Sequence, residues 1–339
     1  MLNSLKRYAP QLTTLAIVLL LNYLVFPDFF KIEIANGKLY GTLIDVLNRG
    51  APVALLCVGM TLVIATKGID LSVGAVMAIC GAVAASTVDS GGGVFMALSL
   101  ALLAGLICGI WNGVLVSVLN IQPIIATLIL MVAGRGIAQL ITEGAILTFN
   151  DEGLIFVGSG SIFSIPMPIL IWIAVGIIVT FIVRRTALGM LIESIGINQR
   201  ASTFSGVNAR VLLILVYAVS GLCAALAGTI AAADIRGADA NNAGLWLELD
   251  AILAVVVGGT SLLGGRFTLI GSLIGAMIIQ SINTGILLSG FPPEFNLIIK
   301  AAIIVIILVI QSPALQSKYI EYRDRRETGK TPVGKDAAS

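Results

Sequence analysis

The sequence predicts an all-α fold: a polytopic, integral membrane helical bundle of about ten transmembrane segments with both termini cytoplasmic. Three observations predict it. The chain is 58% hydrophobic and only 11% charged over 339 residues, with a mean hydropathy of +1.04, whereas a soluble domain carries roughly 25% charged residues. Apolar runs of spanning length recur along it, and in lipid such runs satisfy their backbone polar groups as helices. Lys and Arg are also distributed unevenly among the connections.

Ten hydrophobic segments cover 11–30, 51–66, 71–88, 94–118, 123–141, 166–183, 210–233, 247–264, 267–288 and 295–311. The first follows MLNSLKRYAP and has no A-x-A cleavage pattern, so it reads as a retained helix. The second is short and runs into Lys67-Gly68-Ile69-Asp70, as a broken or partly crossing span does. With the N-terminus inside, fourteen of the twenty Lys and Arg fall on the cytoplasmic side. They include Lys6, Arg7, Lys67, Arg184, Arg185, Arg200, Arg210 and Arg266. An even number of spans, eight or ten, satisfies this bias. Residues 1–317 then form a single transmembrane domain with a cytoplasmic loop at 184–209, and 318–339 form a basic, solvated cytoplasmic tail.

Small residues at four-residue spacing, Gly105, Gly109 and Gly113, then Gly271 and Gly275, allow close helix approach; channel lining is the alternative. Gly68/Asp70 and Gly265/Arg266 each follow an apolar span and precede a glycine-bearing one, a weak echo of internal duplication.

Several chemistries are excluded or unsupported. There is no histidine, which removes a Ser-His-Asp triad and the commonest metal ligand. Cys57, Cys80, Cys108 and Cys223 are widely spaced in apolar segments and make no metal site. Gly329-Lys330-Thr331 resembles the end of a phosphate loop, but Asp324 stands where that loop needs glycine, so the chain does not hydrolyse ATP itself. The small net charge of +2 says nothing of nucleic acid.

Charges inside spans are costly and mark structural or pathway positions. Asp70 stands where a carboxylate caps a helix N-terminus. Arg135, within MVAGRGIAQL, needs a carbonyl or acidic partner. Glu248 and Asp250, two residues apart, point to different helix faces and form no acid/base pair. These four are structural or gating candidates. Among uncharged groups, Trp111, Asn112, Gln139 and Asn283 suit a sugar route, where an aromatic face and neutral amides meet hydroxyls. The same residues also serve as interhelical glue.

The stretch RRTALGMLIESIGINQRASTFSGV begins at Arg184. Leu188, Leu191 and Ile195 share one side of an amphipathic segment and Glu193 looks away. Gly196-Ile197 breaks it, Asn198 reads as an N-cap, and Gly206 reads as the C′ residue of a short helix from Gln199 to Ser205 that carries Arg200 and Ala201. Seven residues span roughly 10 Å. Its small polar face suits insertion into a groove on a cytoplasmic protein; an interfacial helix resting on membrane lipid is the alternative.

The segment GINQRASTFSGV, the run Gly68-Ile69-Asp70-Leu71-Ser72-Val73-Gly74 and GLWLELDAILAVVVGGTSLLGG resemble the sugar-importing ABC permeases of the ribose/galactose type, over about residues 12–311. RGAPVALL, ATLILMVAGRGIAQLIT and IRGADANNAGLWLELDAI look like the galactofuranose-importing branch. The resemblance implies an inner-membrane transport subunit, not an enzyme, that moves a monosaccharide by alternating access. It implies a cytoplasmic ABC ATPase as partner, holding the ATP and Mg, and no cofactor on this chain. A periplasmic sugar-binding protein would dock on the loops at 31–50 and 234–246, and a second permease subunit, identical or different, would complete the route. Glu193, Gly196, Asn198, Arg200, Ala201 and Gly206 would couple to the ATPase. The alternatives are a permease for another sugar such as ribose, an ion-coupled secondary transporter, which lacks a deeply placed titratable centre here, and a membrane enzyme, which lacks a convergent acid pair.

Overall fold

The computed structural model describes residues 8–35, 38–290 and 293–311. The chain divides into two compact units, Met1–Gly285 and Ile286–Ser339. In the first, helices α1 (Ala9–Val25), α2 (Thr42–Arg49), α3 (Ala51–Ala65), α4 (Val73–Asp89), α5 (Val94–Ser117) and α6 (Pro123–Ile141) precede the short α7 (Glu152–Ser159). Then come α8 (Met167–Arg185), α9 (Leu188–Phe204), α10 (Ala209–Ile235), α11 (Leu247–Val257) and most of α12 (Leu269–Leu288). The second unit holds the end of α12 and α13 (Pro293–Gln311). The basic tail 318–339 and the Gly329-Lys330-Thr331 stretch lie outside the described residues. Three minimal antiparallel strand pairs staple the connections: β1 (Glu33–Ala35) with β2 (Lys38–Tyr40), β3 (Leu147–Thr148) with β6 (Gly237–Ala238), and β4 (Ser161–Ile162) with β5 (Ile165–Pro166).

Local chemistry sets the helix starts. Prolines stand in the first two positions of α1, α3, α6 and α8, where the missing N–H has no intrahelical partner to lose. Asp151 caps α7 by accepting from Leu154 N at 2.7 Å, and Asn208 caps α10 by accepting from Val211 N at 3.3 Å. Five helices among the described residues are long and apolar enough to cross a membrane: α5, α6, α8, α10 and α12. The short amphipathic α2 bends by 43° into α3, and this pair makes a sixth candidate crossing.

Tyr8, the ends of α3 and α8, the whole of α9 and the connection 258–268 share one face of the first unit, here called the lower face. Arg184 Nη2 donates to the Tyr8 hydroxyl at 2.9 Å, Gln11 Nε2 to Gly258 O at 3.2 Å, and Gly265 N to Ala65 O at 2.9 Å. A core of Val58, Leu62, Val183, Ile192, Ile195, Leu212 and Phe267 ties these ends together. The connections 26–35, 38–50, 142–166 and 236–246 gather at the opposite, upper end, where Leu39 N donates to Ser164 O at 2.9 Å and β3 pairs with β6.

The Gly105/Gly109/Gly113 ladder packs α5 antiparallel on α10, against Gly221, Tyr217–Ala218 and Ile214 in turn. Gly271 and Gly275 likewise seat α12 on Gly258 and Ala254 of the α11 region. The spacing therefore serves close helix packing, not channel lining, because these positions are filled by facing backbone.

Two connections re-enter the body of the first unit. Gly59, near the middle of α3, packs directly on the Ser220 backbone, and Ser220 Oγ donates to Asp70 Oδ2 at 2.8 Å. Asp70 follows the end of α3 by five residues, so the chain has doubled back to the middle of that helix before α4 begins. At the upper end, Met77 on α4 packs on Gly228. Gly244 abuts Gly74, so the connection from Ile235 has returned below the level of Gly228 before α11 starts. Thus α4 climbs from mid-depth to the upper face, and α11 descends from mid-depth to the lower face.

This geometry corrects two expectations. The segment 247–264 is helical only to Val257, because the glycines at 258, 259, 264 and 265 turn the chain at the lower face. The break in α9 falls at Asn198, with φ −154° and ψ 98°, not at Gly196-Ile197, because Gly196 is held inside the packed part of the helix.

Candidate functional site

At mid-depth the N-terminal ends of α4 and α11 face one another, and polar side chains gather around them. Asp70 accepts from Ser72 N at 3.1 Å, from Ser72 Oγ at 2.6 Å and from Ser220 Oγ at 2.8 Å. It therefore serves the N-terminus of α4, where a carboxylate complements the helix dipole. Fully buried Asn112 extends this frame by donating Nδ2 to Ser72 Oγ at 2.8 Å. Thr127 of α6 accepts from Leu71 N at 3.1 Å and donates to Ile69 O at 3.2 Å. Glu248 and Asp250, both buried, stand in the first turn of α11, and the Glu248 carboxylate occupies the space beside Gly74 where a side chain would otherwise project. Arg135 finds carbonyl partners: Nη1 donates to Ala240 O at 2.9 Å and Ala243 O at 2.6 Å, which ties the upper re-entrant connection to α6.

The four route candidates do not converge within one copy of the chain. Asn112 braces Ser72, while its neighbour Trp111 is 53% exposed on the outward side of α5. Gln139 Nε2 donates to Asn241 Oδ1 at 2.7 Å near the upper end. Asn283 is half-buried on α12, and its Oδ1 has no partner. A small cavity of about 220 Å³ under the upper re-entrant connection is lined by Ala78, Gly228, Ala232 and Asp239 among others, and by none of the four.

The lower face holds a second constellation. After the break at Asn198, a short helix runs to Phe204. Asn198 Oδ1 accepts from Ala201 N at 3.1 Å, the N-cap geometry. At its other end Gly206 has φ +87°, Gly206 N donates to Thr203 O and Val207 N donates to Ser202 O, both at 3.1 Å. These two bonds form a Schellman closure. Asn198, Gln199, Arg200, Ala201, Thr203 and Phe204 are exposed, Phe204 by 93%. A rigid, capped turn with an unburied aromatic is thus presented outward.

Its root is immobilised. Gly196 is buried, and any side chain there would collide with Ala65 O and Gly265 N. Lys67 Nζ donates to Ile197 O at 3.1 Å, and its aliphatic stem lies against Gly264. Around one glycine, therefore, α9 touches both the end of α3, which leads through the lower re-entrant connection to α4, and the turn that follows α11. Glu193 borders a polar cavity of about 550 Å³ with Tyr8, Gln11, Gly259, Arg266 and Thr268. Sequence reasoning missed Ala65, Lys67, Gly264 and Gly265 as members of this junction. The glycine pair in SLLGGRF was its only visible signal, since it marks a turn that backbone can approach closely.

On the upper face Lys31 and Glu33 pair at 2.8 Å while staying well exposed. The Lys31 ammonium holds Glu33 below the usual carboxylate range, but such a solvated pair adds little to stability.

Known proteins share this sequence over most of its length. A family model described as "Branched-chain amino acid transport system / permease component" matches residues 42–308. The chain is 57% identical to the galactofuranose transporter permease protein of Escherichia coli over 319 residues, 94% of each chain. It is 44% identical to the fructose import permease protein of Bifidobacterium longum, covering 86% of this chain and 83% of that one. It is 38% identical to the ribose import permease protein of Haemophilus influenzae, covering 86% and 88%. No solved structure is matched. The chain belongs to the branched-chain amino acid transport system/permease component family, and it is a multi-pass membrane transport subunit, not an enzyme.

Proposed function

We propose that this chain is a transmembrane subunit of an ATP-binding-cassette importer that carries galactofuranose across a bacterial inner membrane by alternating access. In this reading the lower face of the first unit is cytoplasmic, the chain begins and ends in the cytoplasm, and α1, α3, α4, α5, α6, α8, α10, α11, α12 and α13 make ten crossings, α4 and α11 as half-helices. The positive-inside bias supports the orientation. The identity to the galactofuranose permease supports the cargo; the fructose and ribose relatives favour other monosaccharides as the second reading.

The observation that carries the mechanism is the junction at Gly196. A partner ATPase that grips the exposed helix Gln199–Phe204 pulls on α9, whose root is wedged against Ala65 and Gly265. The displacement then reaches both half-helix units through packed backbone. ATP and Mg sit on the partner, a sugar-binding protein docks on the upper connections, and a second permease subunit faces the outward side of α5 and α6 to complete the route. Trp111 lies on that outward side, which accounts for a route left open in one copy.

Reconstitution of the chain with its ATPase, second permease and binding protein tests this. Uptake is expected to require ATP and all partners, with galactofuranose preferred in a panel of pentoses and hexoses in both ring forms. The chain alone in liposomes is expected to show no ATPase activity and no gradient-driven uptake. Uptake driven by a proton gradient sinks the ABC mechanism, and preference for ribose or fructose sinks the cargo assignment alone.

A further inference from the structure

Between α8 and the start of α12 runs a groove of about 560 Å³ that the transport reading does not use. Trp172, Ile177 and Phe181 line one wall and Ile270 and Leu273 the other. Its floor is Gly176, where the missing side chain leaves the space beside Leu273 open. Ile177 and Phe181 are more than 60% exposed. At the lower face the groove ends on Arg184 and Arg185. Arg184 Nη2 donates to the Tyr8 hydroxyl at 2.9 Å, and the Arg185 guanidinium lies 5.9 Å from the centre of the Phe181 ring. Among the described residues neither arginine forms an ion pair.

We propose that this groove binds one anionic phospholipid of the adjoining leaflet, with an acyl chain along α8 and the phosphate between Arg184 and Arg185. Length, charge and chemistry agree. From Trp172 to Arg184 the helix advances about 18 Å, close to the roughly 15 Å hydrocarbon depth of one leaflet. An apolar channel that closes on two cations is complementary to an anionic headgroup with a hydrocarbon tail, whereas a neutral or zwitterionic lipid meets only half of it. Guanidinium forks match phosphate oxygens bidentately, and stacking over Phe181 leaves the donor edge of Arg185 free. A second copy of the chain is the poorer occupant, because it would desolvate two cations that form no ion pair among the described residues.

The test uses the full-length chain in phosphatidylcholine vesicles doped with phospholipids brominated towards the ends of their acyl chains. The readout is the part of the tryptophan quenching that a Trp172→Phe variant loses. Brominated phosphatidylglycerol is expected to quench at a roughly tenfold lower mole fraction than brominated phosphatidylcholine, with the preference shrinking as salt rises. Arg184→Gln/Arg185→Gln should bring the ratio to about one. Equal quenching by the two lipids in the unmodified protein, a preference indifferent to salt, or an unchanged ratio in the double variant overturns the site. So does the absence of quenching by either lipid, which would mean that protein covers the groove.

Discussion

Gly196→Ala is expected to reduce uptake by the reconstituted transporter to background while the chain still inserts and is recovered from membranes. The reason is geometric. At this position α9 lies directly on the end of α3 and on the turn after α11, and even a methyl group would overlap Ala65 O and Gly265 N. Neither neighbour is the far end of a flexible side chain, so relief requires backbone to move, and the Gly265 N to Ala65 O hydrogen bond of 2.9 Å sits in the way. Overpacking of this kind costs about 1–3 kcal/mol, which a protein of this size survives as a fold. Contact between the capped helix and the half-helix units does not survive it. Partner ATPase activity should then persist without coupled uptake. Normal uptake in the Ala variant would remove Gly196 from the transmission path.

The second large effect is expected for Asp70→Ala. The substitution removes the acceptor of three hydrogen bonds, from Ser72 N, Ser72 Oγ and Ser220 Oγ. Leaving buried hydroxyls unpaired costs about 1–3 kcal/mol, and losing a carboxylate beside the α4 N-terminus adds about 0.3–1 kcal/mol. The melting temperature in detergent should fall by several degrees, and uptake should fall with it, because Asp70 holds the lower re-entrant connection to α10 at mid-depth. Asp70→Asn, which retains an acceptor oxygen, should lose less of both. An Ala variant that melts with the unmodified protein would show that the polar frame is not what holds α4 in place.

Much of this architecture is legible in the order of residues alone. Hydropathy marks the long crossings, and cap chemistry marks the short helix: Asn198 and Gly206 hold the positions their side chains and backbone freedom demand. What stays hidden is long-range. Nothing local distinguishes α11, eleven residues long, from a full span, because the apolar run continues through Gly258-Gly259 to Leu263 and only the packing of Gly258 on Gly271 shows that the chain has turned. The upper re-entrant connection is equally opaque, since ADANNAG reads as a solvated loop, and its descent depends on Arg135 reaching two carbonyls more than a hundred residues away. Asn112 shows the same limit from the other side. Its amide suits a sugar, yet the side chain is fully buried and one of its N–H groups donates to Ser72 inside the frame. The partners of a polar residue in a membrane bundle are set by tertiary contact, and residue type alone cannot assign them.

Transmission through Gly196 requires that α9, the end of α3 and the turn after α11 move as one body. Joining Lys67→Cys to Ile197→Cys with a short, reducible thiol-reactive linker tests this, since Lys67 Nζ already meets Ile197 O at 3.1 Å and the four native cysteines are buried or half-buried. Uptake measured before and after linkage, in the reconstituted transporter, is predicted to be unchanged, because the linker spans a contact that stays closed throughout the cycle. Loss of uptake on linkage, restored by reduction, would show that these segments separate during transport and would contradict transmission by a single rigid junction.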